Sequence, residues 1–244
     1  MRPSRDHGPR DNHGTGHVLE DIDRQANTMS VIFSHQHFQE MPLIGILRGF
    51  ATHQIEPLIS SAVRGGLRNL EITMNSPDAA GQIRHAVECA KGALNIGAGT
   101  VTSRRLLDEA LSAGASFIVT PTLVIDVLDQ CVRLQTPVFP GALSPTEIAC
   151  AWDHGATMVK IFPAELHGPA YIRAIKAPLP HIKLLPTGGV DLKTLPEFMR
   201  AGADGAGIGN PLFDRKRIEA GDWQWVESQC LAFAETCRVA IASK

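Results

Sequence analysis

From Leu43 onward the chain repeats one unit: a short apolar run ending in Gly, Thr or Pro, then a longer amphipathic stretch. The apolar runs are LIGIL (43–47), NLEIT (69–73), LNIGAG (94–99), FIVT (117–120), PVFPG (137–141), MVKIF (158–162), KLLPT (183–187) and GAGIG (205–209). Helical patterns separate them, with serines placed to cap at Ser103 and Ser144, and Gly or Ala-Gly stops before several of the following strands. A last helix is expected over about 223–242. Strands that alternate with helices pair in parallel through right-handed crossovers. Eight such units in about 200 residues predict an α/β chain of the (β/α)8 TIM-barrel class; an open doubly wound sheet is the alternative.

Bulk properties narrow the function classes. The chain has 244 residues and 44% hydrophobic content, enough for one large core. Its formal net charge is -2 without a long basic block, which argues against a nucleic-acid surface. No apolar run approaches the roughly 18 residues of a membrane span. The five cysteines (Cys89, Cys131, Cys150, Cys230 and Cys237) contain no CxxC pair. A disulfide framework or thiolate zinc site is therefore not expected, and a cytoplasmic setting is. Residues 1–28 are polar and lack periodicity, so a flexible N-terminal arm is expected there, with the barrel domain over 29–244. Met29 is an alternative start, and His7, His13 and His17 in the arm are read as solvated.

A barrel directs attention to the C-terminal ends of its strands. In MVKIF, Met158, Lys160 and Phe162 share one side; in NLEIT, Asn69, Glu71 and Thr73 do. Val159 and Ile161, with Leu70 and Ile72, then suit packing on outer helices, which turns Lys160 and Glu71 inward. Burial lowers a lysine pKa, and a neutral amine attacks carbonyls to form a Schiff base. A partly buried Glu71 is a candidate proton shuttle. A plain buried Lys–Glu pair is the structural alternative, though such a pair contributes little net stability.

A second signal concerns anions. PTGGV (186–190) and GIGN (207–210) end the seventh and eighth strands, where this barrel class cradles phosphate on backbone amides. Gly188, Gly189, Gly209 and Asn210 are the candidates. Thr100, at the end of GAGT (97–100), and Arg48, at the end of the first strand, are candidates for a carboxylate. The scattered acidic residues show no spacing that demands a divalent metal, and no cofactor motif is present. Tyr171, Trp152, Trp223 and Trp225 read as packing, and His154 as a helix-end cation.

Taken together, ILRG, LEIT, GAGTV, VTP, FPG, VKIFPAE and PTGGV resemble one family from about residue 41 to the C-terminus. It comprises the class I aldolases that cleave 2-keto-3-deoxy-6-phosphogluconate and -galactonate, with 4-hydroxy-2-oxoglutarate. The resemblance implies a homotrimeric barrel, with a phosphorylated 2-keto-3-deoxy sugar acid as substrate and no cofactor. It makes Lys160 the Schiff-base lysine and Glu71 the general acid/base. Thr100 then meets the pyruvate carboxylate, and Gly189, Gly209 and Asn210 meet the phosphate. Gluconate-type members carry an arginine shortly after the glutamate, where this chain has Asn75. Arg48, Asn75–Ser76–Pro77 and HGPAYIRAIKAPLP (167–180) resemble the galactonate type. Thr187, in PTGG, resembles the gluconate type and lies where a substrate hydroxyl is read. A phosphosugar isomerase or epimerase using Glu71 as base, and a silent phosphosugar-binding barrel, are the rival readings of the same residues.

Overall fold

The computed structural model describes residues 32–243. The arm expected over 1–28, Met29 and His7, His13 and His17 lie outside the described residues. A short helix α1 (His35–Glu40), which the repeat pattern does not predict, precedes the first strand. Strands β1 (Leu43–Leu47), β2 (Asn69–Thr73) and β3 (Asn95–Gly99) then alternate with helices α2 (Thr52–Arg64), α3 (Ala79–Ala90) and α4 (Arg104–Ser112). Next come β4 (Ile118–Val119), α5 (Ile125–Arg133), β5 (Val138–Phe139), β6 (Gly141–Ala142), α6 (Pro145–Asp153) and β7 (Val159–Ile161). The chain continues through α7 (Gly168–Lys176), β8 (Leu184–Pro186), α8 (Leu195–Arg200), β9 (Ala206–Ile208), α9 (Arg215–Glu219) and α10 (Trp223–Ala242). Ser103 accepts from the Leu106 amide, and Ser144 forms a capping box with Glu147, as their positions predict.

All the pairings are parallel. They form a six-stranded sheet, β5-β4-β3-β2-β1-β9, and a three-stranded sheet, β6-β7-β8. One expectation needs correction here. The run at 137–141 is two strands, because Pro140 has no N–H to give to a ladder and interrupts it. The Pro140 carbonyl still accepts from the Lys160 amide at 2.9 Å, and the Val138 carbonyl accepts from Thr157 at 2.9 Å. A parallel bridge between Thr187 and Gly207 links β8 to β9. The product is a curled parallel sheet with helices packed on its outer face, a (β/α)8-like fold.

Strand alternation sorts the side chains into two apolar layers. Leu70, Ile72, Val159 and Ile161 join the core shared with the helices. Ile44, Phe117, Val119, Phe139, Met158 and Leu185 face the other way and form an inner cluster. Phe33 and Phe38 enter that cluster from α1 and the turn before it, stacking edge-on or tilted against Phe117 and Phe139. A polar tie holds them there. The Asn95 amide donates to the Ser34 carbonyl at 2.9 Å and to Asn69 Oδ1 at 2.8 Å, and Asn95 Oδ1 accepts from the Ser34 amide. Asn69 donates in turn to the Met41 and Leu43 carbonyls. Both asparagines are buried, and these bonds offset the desolvation of their amides. With the inner cluster and the asparagines filling the N-terminal end of the strands, the open space lies at the C-terminal end.

Candidate active site

Inward-facing positions on β1 and β2 pair Ile44 with Asn69 and Ile46 with Glu71. On β3, Gly97 stands opposite Glu71 and Gly99 opposite Thr73. These glycines are spacers. A Cβ at Gly97 would lie 2.5 Å from the Phe117 ring, and one at Gly99 would lie 2.5 Å from Glu71 Oε1. The carboxylate of Glu71 therefore occupies room that β3 leaves by carrying no side chain. Glu71 is 1% exposed, and Lys160, from β7, is 4% exposed.

Burial pushes the Glu71 carboxyl above its ordinary range; the nearby positive charges of Lys160 and then Arg48 act against that rise. Burial likewise pulls the Lys160 ammonium below its ordinary value, with Glu71 opposing the fall and Arg48 adding to it. The two groups influence each other without a direct ion pair within 4.0 Å. Lys160 Nζ instead lies 5.0 Å from the centroid of the Phe162 ring. Such an arrangement stabilises the ammonium weakly and leaves its lone pair, once the proton is lost, free for a carbonyl carbon.

Lys160 opens onto a cavity of about 400 Å³. Arg48, Thr187, Gly188, Gly189, Gly209 and Asn210 line the same cavity, so seven of the nine candidates meet there. Glu71 is not part of the lining, but it feels the positive charges of Lys160 and Arg48, which are. Thr100 lies outside the cavity lining. Its backbone has φ 57°, a left-handed conformation uncommon for a β-branched residue and a mark of local strain.

The glycine pair after β8 is conformationally required. Gly188 and Gly189 have φ of 92° and 69°, and a Cβ at Gly189 would lie 2.5 Å from Glu165 Cβ. At Gly209, by contrast, the nearest atom to an added Cβ is 4.0 Å away, so the backbone here faces open space that a ligand group can approach. Thr187 is buried at the cavity wall, and Gly207 leaves room for its hydroxyl. Next to Arg48 in the chain, the Gly49 amide donates to Ser76 Oγ at 2.8 Å, and Ser76 shares a 3.0 Å bond with Thr73. Asn75 is exposed and is not part of the cavity lining.

Ile46, Phe50, Phe162, Glu165, Val190 and Pro211 complete the wall and were not among the candidates. Alternation with Lys160 had already placed Phe162 on the inner side. Glu165 carried no such signal, because the chain turns into a short 3-10 segment (Ala164–Leu166) directly after the strand.

Comparison with known proteins bears on this geometry. The family profile described as KDPG and KHG aldolase matches residues 35–229. The chain belongs to this family. It is 37% identical over 174 residues to a 2-dehydro-3-deoxy-phosphogluconate aldolase of Pseudomonas aeruginosa, covering 71% of this chain and 79% of that one. It is 35% identical over 175 residues to the 2-dehydro-3-deoxy-6-phosphogalactonate aldolase of Escherichia coli, covering 71% and 85%. A solved native KDPGal structure superposes with a TM-score of 0.79 at 31% identity, over 86% of this chain and 99% of that one. The KDPG aldolase of Legionella pneumophila superposes with a TM-score of 0.76 at 26% identity, over 81% and 96%; it was solved with pyruvate captured as a covalent carbinolamine. The chain is thus an aldolase, a carbon–carbon lyase. Among the described residues, no helix is long and apolar enough to cross a membrane.

Proposed function

We propose that this aldolase cleaves 2-dehydro-3-deoxy-6-phosphogalactonate to pyruvate and D-glyceraldehyde 3-phosphate through a Schiff base on Lys160. The observation that carries the reading is the buried Lys160, with its ammonium weakened, opening onto the same cavity as Arg48 and the glycine turns. Neutral Lys160 Nζ attacks the C2 ketone. Glu71 supplies the proton with which the carbinolamine loses water, leaving a protonated imine. The Glu71 carboxylate then takes the C4 hydroxyl proton. The C3–C4 electron pair flows into the imine as the bond breaks, giving an enamine and the aldehyde. Protonation at C3 and hydrolysis release pyruvate and restore the lysine.

Arg48 and Thr100 are assigned the carboxylate end, and Gly188, Gly189, Gly209 and Asn210 the phosphate. For Arg48 this rests on its place at the cavity wall; for Thr100 it rests on the family pattern and its strained backbone. The Thr187–Gly207 bridge and the bonds across Pro140 support reading the two sheets as one closed barrel. A homotrimer in the cytoplasm, with residues 29–244 as the catalytic domain, completes the proposal on family pattern.

Arg48 on the cavity wall and Asn75 outside it favour the galactonate epimer. Thr187 at the wall favours 2-dehydro-3-deoxy-6-phosphogluconate, the second reading. The test is kcat/KM for the two C4 epimers, in the unsubstituted protein and in Thr187→Val. A galactonate preference is expected; a strong gluconate preference in the unsubstituted protein overturns the choice of substrate.

A further inference from the structure

On the outer helical layer, away from the cavity, three side chains of different chemistry converge. His85 and Cys89 sit four residues apart on α3 and so share one face. Cys89 Sγ lies 3.7 Å from His85 Nε2 and 3.8 Å from Nδ1. Glu56 reaches the pair from α2, and one ligand atom from each of the three falls within 4.8 Å of the others. We propose that Glu56, His85 and Cys89 form a binding site for a divalent transition-metal cation of the zinc type, outside the catalytic cavity.

The spacing supports this. Metal–sulfur and metal–nitrogen bonds of about 2.3 and 2.0–2.1 Å at a tetrahedral angle separate the two ligand atoms by about 3.6 Å. The His85–Cys89 separation is therefore already that of a chelate. One oxygen, one nitrogen and one sulfur ligand suit zinc, cobalt or nickel and disfavour magnesium and calcium, which take oxygen ligands. Three protein ligands leave the fourth position for water.

Access agrees. Glu56 is exposed and the other two are half-buried, so a cation reaches the site from solvent. The Cys89 thiol proton leaves to solvent as the metal–thiolate bond forms. Because α2 follows β1 and α3 follows β2, the cation would clamp together the two units that carry Arg48 and Glu71. Neither the acidic residues nor the cysteines reveal the site in the sequence. His85 and Cys89 are adjacent only on a helix, and Glu56 lies on a different one.

The test titrates the reduced, chelator-stripped full chain with zinc by calorimetry, and with cobalt by absorption. One zinc per chain is expected, together with a thiolate-to-cobalt charge-transfer band and tetrahedral visible bands. His7, His13 and His17 bring no thiolate, so the band distinguishes binding there. Cys89→Ser distinguishes the half-buried Cys150 and should abolish the band. Outer-shell changes already cost roughly 10–100-fold in metal affinity, so loss of this ligand should weaken zinc about 100-fold or more, without changing aldolase activity. A cobalt complex without a thiolate band overturns the proposal, as does zinc binding that is unaltered in both Cys89→Ser and His85→Ala.

Discussion

Gly99→Ala is the most informative single change, because it alters no reacting group. Its Cβ would lie 2.5 Å from Glu71 Oε1 and 2.7 Å from Glu71 Cδ. Ordinary contact begins at 3.4 Å, so the carboxylate must retreat by about 0.9 Å, and a misplacement of about 1 Å costs on the order of a hundredfold in rate. The backbone at Gly99 does not require glycine, so the penalty falls on packing, roughly 1–3 kcal/mol of stability. The assay is pyruvate release on the preferred epimer, with thermal unfolding to confirm the fold. kcat/KM should fall about a hundredfold, while a lysine adduct with pyruvate still forms. Because the effect runs through Glu71, adding Gly99→Ala to Glu71→Gln should cost little more than Glu71→Gln alone. A folded Gly99→Ala enzyme with near-normal kcat/KM would refute the reasoning, and so would losses that multiply in the double variant.

Three further outcomes follow from the same geometry. The pH midpoint for trapping pyruvate should move down in Glu71→Gln and up in Arg48→Met, since Glu71 raises and Arg48 lowers the Lys160 pKa; shifts of the same sign would contradict the electrostatics. Lys160→Met should raise Tm at neutral pH, as removal of a desolvated ammonium at an active site commonly does. Between the lowered folded pKa of Lys160 and its ordinary 10.5, the unfolded chain binds more protons, so the unsubstituted protein gains stability as pH rises. The Tm gap should therefore narrow toward alkaline pH, and a constant gap counts against the burial argument. Thr100→Gly should relieve the φ 57° strain and stabilise the fold by about 1 kcal/mol in denaturant unfolding, while raising KM for pyruvate in the condensation direction; unchanged KM removes Thr100 from the carboxylate site.

The repeat pattern and period-2 alternation made much of this molecule readable. Lys160 and Glu71 turn inward because Val159, Ile161, Leu70 and Ile72 are needed outside, and that requirement is written in five-residue runs. The glycine turns at 188–189 and 209 were legible because their backbone chemistry is local. What depended on contacts between distant residues was not. Gly99 and Gly207 matter only through Glu71 and Thr187 on neighbouring strands. Pro140 itself was in view, but the different partners of the two half-strands were not: β4 for one and β7 for the other. Helix α1 is held at its two ends by Asn95 and Asn69, 61 and 28 residues from their partners Ser34 and Met41, and its six residues are too few for a periodic signal. The Glu56–His85–Cys89 group was hidden for the same reason.

The proposed carbonyl nucleophile is Lys160. Borohydride reduction in the presence of pyruvate, followed by peptide mass mapping, tests that role. A single stable adduct, a reduced pyruvate imine, is expected on the peptide containing Lys160, with matching loss of aldol activity and no adduct in Lys160→Met. Full activity after borohydride treatment during turnover, with no modification at Lys160, would contradict it.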